Sequence, residues 1–226
     1  ANVVIVAVGG VLSYGSFGMS HRATEDLAIL RALPGMTVVA PGDPAETVAA
    51  TTKVAEGIGP TYLRLGRAGE PAVHSGAIDW QLGRAIETRT GSDATIISTG
   101  AMLATAVAAA DKLRDELGLA VRVLSMHTIK PLDVESIVRA ARETGAIATL
   151  EEHSVLGGLG GAVAEVLCEE FGTAVAFQRL GLPSRYLDTI GGQPFLREQC
   201  GLDVDSVASA VKSLATKAEN TLLSAA

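Results

Sequence analysis

The sequence predicts an α/β protein with two doubly wound, mostly parallel sheets that carry helices on both faces. Short β-branched runs alternate with stretches of helical period along most of the 226 residues. The first of these runs, at residues 3–8, is apolar throughout, which is typical of a strand buried on both faces of a parallel sheet. A stretch rich in glycine, proline and charge interrupts this alternation near residues 69–92 and divides it into two units.

The first unit, residues 1–68, starts on a β-branched run at residues 2–8. We interpret this run as a central strand, and we expect the N-terminal part of its domain to be absent from the chain. A loop at residues 9–19 leads to a helix that Ser20 caps and Pro34-Gly35 ends. The other predicted elements are strands at residues 36–40 and 61–65 and a helix at residues 44–55 capped by Asp43.

Residues 69–92 are predicted to be a linker with a short strand around Ile86, pinned to a domain by Trp80. The second unit, residues 93–226, alternates strand and helix again. Its predicted strands lie at residues 94–99, 120–125, 146–150 and 174–180, and its helices at residues 103–117, 134–143, 161–171 and 204–217.

Composition limits the possible partners. The net charge of −7 leaves no basic footprint for nucleic acid, so no nucleic-acid partner is predicted. No apolar run is long enough to span a bilayer and no signal peptide is recognised, so no membrane partner is expected. Cys168 and Cys200 lack metal-ligand spacing, which favours reduced thiols and a cytoplasmic location.

Three groups of residues are candidates for chemistry. His21 would lie at the mouth of the first helix, where the dipole disfavours the imidazolium, so either a ligand contact or a surface cap is possible. Arg64 and Arg67 end a predicted strand, where they suit a phosphate or structural salt bridges. Gly157–Gly161 follows a strand, but its spacing does not fit a dinucleotide fingerprint and predicts a tight turn.

Other polar residues are predicted to be structural. Glu151-Glu152-His153 follows a predicted strand, where it could perform acid–base chemistry or be structural. His127 precedes Lys130-Pro131 and is also predicted to be structural. His74 lies in the linker and is predicted to be on the surface.

Several of these segments resemble one family in the same order along the chain. Ser20-His21, Glu25-Asp26, residues 31–36, Pro41-Gly42-Asp43 and Glu46-Thr47 resemble the pyrimidine-binding domain of transketolases. Residues 62–67 resemble the strand of that family that ends in a substrate-phosphate arginine. Residues 126–133 and 151–160 resemble the C-terminal domain of the split, two-subunit members. The resemblance implies that Glu151-Glu152-His153 lies in a domain that packs at the subunit interface and carries no chemistry.

This resemblance implies a subunit that transfers a two-carbon ketol group between sugar phosphates with thiamine diphosphate and Mg²⁺. It implies that residues 1–68 are the C-terminal part of the pyrimidine-binding domain. The diphosphate and metal would be held by a partner, the N-terminal transketolase subunit, in a dimer of heterodimers. The glutamate and aromatic residues that contact the aminopyrimidine would lie upstream of Ala1. By itself the chain would neither bind the cofactor tightly nor catalyse transfer.

The resemblance also implies roles for particular side chains. His21 would be catalytic, near the hydroxyl and carbonyl end of the sugar, with Ser20 beside it. Arg67, and after it Arg64, would bind the distal phosphate. Phe17 stands where the family pattern Asp-Gly-x-Ser/Thr-His-Gln has an aspartate that contacts a sugar hydroxyl. Since Phe17 cannot make that contact, we expect a substrate outside the common pentose phosphates.

Two other functions remain open from the sequence. The β subunit of a 2-oxoacid dehydrogenase shares the fold and cofactor, but it transfers an acyl group to a lipoyl arm and needs no sugar-phosphate arginine. A non-catalytic assembly or regulatory subunit would keep the fold without the chemistry.

Overall fold

A computed structural model describes residues 1–10 and 12–225. The strands are β1 Val4–Val8, β2 Thr37–Val39, β3 Thr61–Leu65, β4 Ile86–Arg89, β5 Ala94–Ser98, β6 Val121–Ser125, β7 Thr128–Lys130, β8 Ala146–Ser154 and β9 Ala176–Leu182. The α-helices are α1 Asp26–Ala32, α2 Pro44–Glu56, α3 Leu103–Leu117, α4 Val134–Thr144, α5 Leu159–Phe171, α6 Gln193–Gln199 and α7 Val204–Ala225.

Two mostly parallel sheets form the frame, which confirms the predicted fold class. The first has the strand order β1-β3-β2-β7, and the second has the order β4-β6-β5-β8-β9. In each sheet only the link to an outer strand is antiparallel, β2 with β7 and β4 with β6. Parallel strands place their carboxyl ends at one edge, where α/β proteins bind ligands.

Residues 2–8 contain a strand, as predicted, but the prediction that this strand is buried on both faces is wrong. β1 pairs with β3 alone and lies at an edge of the first sheet. Four of its five residues are exposed, with the four valine and isoleucine side chains 39–58% accessible. The apolar run predicts the strand correctly, but it cannot show which neighbours cover that strand.

The helix predicted to follow Ser20 starts later than expected. Residues Met19–His21 form a separate 3₁₀ turn, and α1 begins at Asp26 after Glu25. Ser20 therefore does not cap α1, and the argument that placed His21 at a helix mouth is wrong. The predicted stop at Pro34-Gly35 is confirmed, since α1 ends at Ala32.

The cap of α2 is confirmed in detail. The Oδ1 of Asp43 accepts a hydrogen bond from the Glu46 backbone N–H at 2.9 Å, and Pro44 occupies the first helical turn. Proline there costs no intrahelical hydrogen bond, because that N–H has no partner in any case.

The two units share one apolar core. Leu27 and Val38 from the first unit pack in the same buried cluster as Ile97, Ile137 and Leu159 from the second. The strand β7, from the second unit, also completes the first sheet by pairing with β2. Since apolar burial is the main stabilising term in folding, the units are docked rather than loosely tethered.

No helix within the described residues is long and apolar enough to cross a membrane.

Candidate functional site

The loop between β1 and α1 brings three of the predicted site residues together. His21 is exposed, its Nδ1 lies 3.0 Å from the Ser20 hydroxyl, and its ring lies 5.0 Å from the Phe17 ring at 35°. Phe17 is itself 63% exposed. The imidazole thus contacts one hydroxyl and one aromatic ring while the residue as a whole remains exposed.

Arg67 lies at a cavity of about 450 Å³ outside the carboxyl ends of β1 and β3. The cavity is lined by Val8 and Leu65 from those strand ends and by Gly42 and Asp43 from the start of α2. Among the described residues, the Arg67 guanidinium forms no salt bridge. Burial raises the pKa of nearby Glu70, and the charge of Arg67 offsets only part of this rise. An exposed guanidinium at this edge can accept an anionic group.

Arg64, three residues earlier, points into the protein instead. Its Nε lies 2.9 Å from Asp26 Oδ2, and its Nη2 donates to the Glu152 carbonyl oxygen at 3.0 Å. The side chain is almost fully buried. Of the two alternatives that the sequence left open for Arg64, this geometry favours the structural salt bridge.

The structure therefore groups Phe17, Ser20 and His21 on one loop and places Arg67 on another. The lining of the Arg67 cavity includes none of the three loop residues. A ligand that contacts both His21 and Arg67 would therefore have to extend from the loop to the cavity.

The glycine-rich turn after β8 is structural, as predicted. The Glu151 carboxylate accepts hydrogen bonds from the backbone N–H groups of Leu159 and Gly160 at 2.8 and 2.7 Å. A Cβ at Gly158 would come within 2.1 Å of that carboxylate. Because an internal carboxylate already occupies the start of α5, this helix end offers no place for a nucleotide phosphate. Burial raises the pKa of Glu151 to about 7.

Glu152 and His153 also make hydrogen bonds inside the chain, which favours a structural role over acid–base chemistry. Glu152 accepts from the Leu12 backbone N–H at 2.9 Å and from Arg197 Nε at 2.6 Å. His153 Nδ1 lies 2.7 Å from the Ser154 carbonyl oxygen, and its Nε2 accepts from the Ala28 N–H at 3.3 Å. Burial, together with the nearby guanidinium, lowers the pKa of His153, so the neutral ring is favoured.

His127 and Trp80 stack on one another, with ring centroids 4.5 Å apart. This contact confirms that Trp80 pins the linker and that His127 is structural. Burial lowers the pKa of His127 to about 4.

The prediction that His74 is a surface residue is wrong. Its side chain is only 10% exposed, with Nδ1 3.1 Å from Asp43 Oδ2 and Nε2 3.7 Å from Glu46 Oε1. The linker folds back onto the start of α2, a contact that sequence spacing does not reveal.

Sequence reasoning gave no role to Arg22, although it lies next to His21. Its guanidinium donates to the carbonyl oxygens of Gly15, Leu187 and Thr189. One feature of the sequence could have drawn attention to it: Arg22 stands where the family pattern has a glutamine after the histidine.

Within residues 1–10 and 12–225, no three His, Cys, Asp or Glu side chains lie together in a way that could hold a metal ion. We therefore derive no step through a metal held by these residues.

Comparison with protein families gives two matches that follow one another along the chain. Residues 1–70 match the transketolase pyrimidine-binding domain, and residues 83–207 match the transketolase C-terminal domain.

Individual relatives agree with these matches. The chain is 39% identical to a 6-deoxy-6-sulfo-D-fructose transketolase subunit from Clostridium sp. strain MSTE9, over 85% of this chain and 59% of the relative. It is 41% identical to an apulose-4-phosphate transketolase subunit from Phocaeicola vulgatus, over 80% of this chain and 57% of that relative. The chain thus spans less than three fifths of the length of either relative.

A solved structure described as a split gene transketolase, an inactive β4 tetramer, is also similar. It superposes with a TM-score of 0.85 at 43% identity, covering 95% of this chain and 67% of that one.

Proposed function

Because the chain belongs to the transketolase family, we propose that it is the C-terminal subunit of a split, two-subunit transketolase. In this proposal it acts with a partner to move a two-carbon ketol group between sugar phosphates. The observation that carries the proposal is the order of the two family domains, together with relatives that are themselves transketolase subunits. We keep the predicted division into residues 1–68, a linker at 69–92 and residues 93–226.

The proposal includes thiamine diphosphate and Mg²⁺, with the diphosphate and the metal held by the N-terminal transketolase subunit. When bound, thiamine diphosphate supplies the electron sink that ketol transfer requires. The assignment to the partner follows the family resemblance, and the described residues offer no metal cluster of their own.

In this proposal the loop residues contact the reacting end of the sugar. His21 presents an exposed imidazole that can donate or accept a proton at a sugar hydroxyl or carbonyl oxygen. Ser20 fixes the orientation of the ring through Nδ1. The exposed Phe17 ring would present an apolar surface to the sugar beside His21, which supports a substrate outside the common pentose phosphates. The relatives named above act on a sulfo-sugar and on apulose 4-phosphate.

The distal phosphate is assigned to Arg67. Its exposure, its position at the carboxyl edge of the first sheet and the adjoining cavity support this role. Arg64 is a weaker candidate, because its guanidinium is already paired with Asp26.

We further propose that the assembly is a dimer of heterodimers in the cytoplasm. The related β4 tetramer is described as inactive, which supports a requirement for a second kind of subunit. The location is supported by Cys168 and Cys200, both of which are free thiols.

Reconstitution tests the proposal. The full chain is mixed with its N-terminal partner, thiamine diphosphate and Mg²⁺, and ketol transfer is measured with a phosphorylated donor and its unphosphorylated counterpart. We expect turnover only when both subunits are present. Calorimetry of the chain alone should show no micromolar cofactor binding, and such binding would overturn the two-subunit proposal.

The Arg67→Gln variant refines this test. Loss of a charge-assisted phosphate contact, about 1.5–3 kcal/mol, should raise KM roughly 10- to 100-fold for the phosphorylated donor only. Arg114→Gln is the matched control, since Arg114 is an exposed arginine on α3, where it pairs with Asp111. Equal losses on both donors would make Arg67 structural.

The same assay separates the alternatives. Acyl transfer to a lipoyl domain without sugar turnover would indicate a 2-oxoacid dehydrogenase β subunit. Stable assembly without either turnover would indicate a non-catalytic subunit. The named relatives do not favour either outcome.

A further inference from the structure

Arg22 is a buried cation without a carboxylate partner. The residue is only 6% exposed, and among the described residues no Asp or Glu forms a salt bridge with it. Its two terminal nitrogens donate to three main-chain carbonyl oxygens, of Leu187 at 2.8 Å, Gly15 at 2.9 Å and Thr189 at 2.7 Å. Its Nε is also buried but has no hydrogen-bond partner among the described residues. A buried charge is costly unless its geometry is well satisfied, so this arrangement constrains all three carbonyls.

The three carbonyls come from two different parts of the chain. Gly15 lies within the loop that carries His21, while Leu187 and Thr189 lie in the segment between β9 and α6 of the second unit. The bond to Gly15 closes the loop on itself, because Arg22 ends the 3₁₀ turn that contains His21. The other two bonds fasten that closed loop to the second unit.

Close packing next to Arg22 limits any movement of the loop. A Cβ built on Gly15 would lie 2.2 Å from Leu196 Cδ1 and 2.6 Å from the Gly191 carbonyl oxygen, so the main chain touches the second unit directly. Upstream, the Leu12 N–H donates to Glu152 of β8. The loop is therefore held at its start, at Gly15 and at its end.

From this geometry we infer that Arg22 is a positioning residue for His21, through which residues 187–189 of the C-terminal unit set the direction of the imidazole. The inference rests on the proposed function only for its kinetic consequence. Its structural content, that His21 is oriented by a bond network anchored in the other unit, can be measured without turnover.

Arginine suits this role because its two terminal nitrogens reach carbonyls that lie in different directions. Glutamine offers one uncharged amide nitrogen, and lysine offers donors from a single nitrogen. Neither can bond all three carbonyls as Arg22 does, so both should release the loop.

The first experiment is histidine-selective NMR of the full chain, which contains four histidines. The His21 resonance is assigned by its loss in His21→Ala, and the neighbouring Phe17 ring makes its chemical shift sensitive to orientation. We expect this resonance to move or broaden in Arg22→Gln, while those of His127 and His153 stay in place.

The control is Arg31→Gln. Arg31 also joins the two units, since its Nη1 donates to the Gly157 carbonyl oxygen at 3.1 Å, but it lies on α1 outside the loop. It should leave the His21 resonance unchanged. An unmoved His21 resonance in folded Arg22→Gln would overturn the inference, as would an equal movement in Arg31→Gln.

The second experiment is kinetic, in the reconstituted two-subunit enzyme. Misplacing a catalytic group should lower kcat by about 10-fold or more in Arg22→Gln, with KM for the phosphorylated donor changed less than about 3-fold. A rise in KM alone would contradict positioning of His21. If the wild-type pair shows no ketol transfer, the proposed function fails, and the NMR result alone decides the role of Arg22.

If circular dichroism shows that Arg22→Gln does not fold, Arg22→Lys replaces it in the NMR experiment. The lysine keeps the positive charge but not the two-nitrogen geometry. The His21 resonance must then move in Arg22→Lys, and an unmoved resonance overturns the inference.

Discussion

Glu152 joins the two units, so its removal gives a sharp test of how they are held together. Its buried carboxylate accepts from the Leu12 N–H, from Gln193 Nε2 at 3.1 Å and from Arg197 Nε at 2.6 Å. Leu12 belongs to the first unit, whereas Gln193 and Arg197 belong to α6 of the second. The change to be made is Glu152→Ala.

The structure indicates the size of the effect. The substitution leaves the Arg197 guanidinium, 15% exposed, without its carboxylate and leaves the Leu12 N–H without an acceptor. Breaking a buried ion pair by removing one partner costs about 3–5 kcal/mol. The Glu152→Gln variant keeps an acceptor for Leu12 but loses the charge, so about 1.5–3 kcal/mol is expected.

The assay is urea unfolding of the full chain at constant pH, followed by circular dichroism and by the fluorescence of Trp80, the sole tryptophan. With an m-value of about 3 kcal/mol/M, Glu152→Ala should lower the midpoint by roughly 1–1.7 M. A double-mutant cycle with Arg197→Met should give a coupling energy of at least about 1.5 kcal/mol.

Glu165→Ala is the matched control. Glu165 pairs with Arg31 across the same two units, but its side chain is 61% exposed, so its loss should cost less than about 1 kcal/mol. The reasoning is refuted if Glu152→Ala lowers stability no more than Glu165→Ala does, or if the cycle shows no coupling.

Three further outcomes are expected. His21→Ala should lower kcat/KM of the reconstituted enzyme on the order of 10²-fold with an unchanged unfolding midpoint, because one positioned acid–base group is lost. Phe17→Asp should change the ranking of sugars that differ in hydroxyl configuration, measured as relative kcat/KM, because a carboxylate can accept hydroxyl hydrogen bonds and the phenyl ring cannot. The third outcome concerns pH. The pKa of His127 is lowered from 6.5 to about 4 in the folded chain. Between these two pH values the unfolded chain is protonated at this histidine and the folded chain is not. Stability is therefore present above pH 6.5 and is lost as the pH falls towards 4, by up to about 3 kcal/mol, and His127→Asn should flatten this part of the stability–pH curve.

Each of these outcomes has a contrary result. An unchanged kcat/KM would remove His21 from the site. An identical sugar ranking would show that Phe17 does not face the substrate. An unaltered slope of the unfolding free energy between pH 4 and 6.5 in His127→Asn would mean that this histidine is not responsible for the acid sensitivity.

Local sequence determined the fold class because strands and helices depend on neighbouring residues. The strand predicted at residues 61–65 matches β3 residue for residue, and the Asp43 cap forms as predicted because donor and acceptor are three residues apart. The position of Arg67 after β3 followed from the same local pattern. The glycines after β8 also behaved as a turn, since close approach of the backbone needs no distant information.

Only the tertiary structure decided the features that depend on distant partners. Spacing along the chain could not show which strands lie beside β1, because strand order is a property of the whole sheet. Nor could it separate Arg64 from Arg67, which differ because Asp26 and Glu152 lie beside only one of them. The bonds of Arg22 to Leu187 and Thr189 span more than 160 residues of sequence. These hydrogen bonds form only when the two units dock through their shared core. Their contribution to stability depends on burial and on the geometry of distant groups, which a local pattern of residues does not contain.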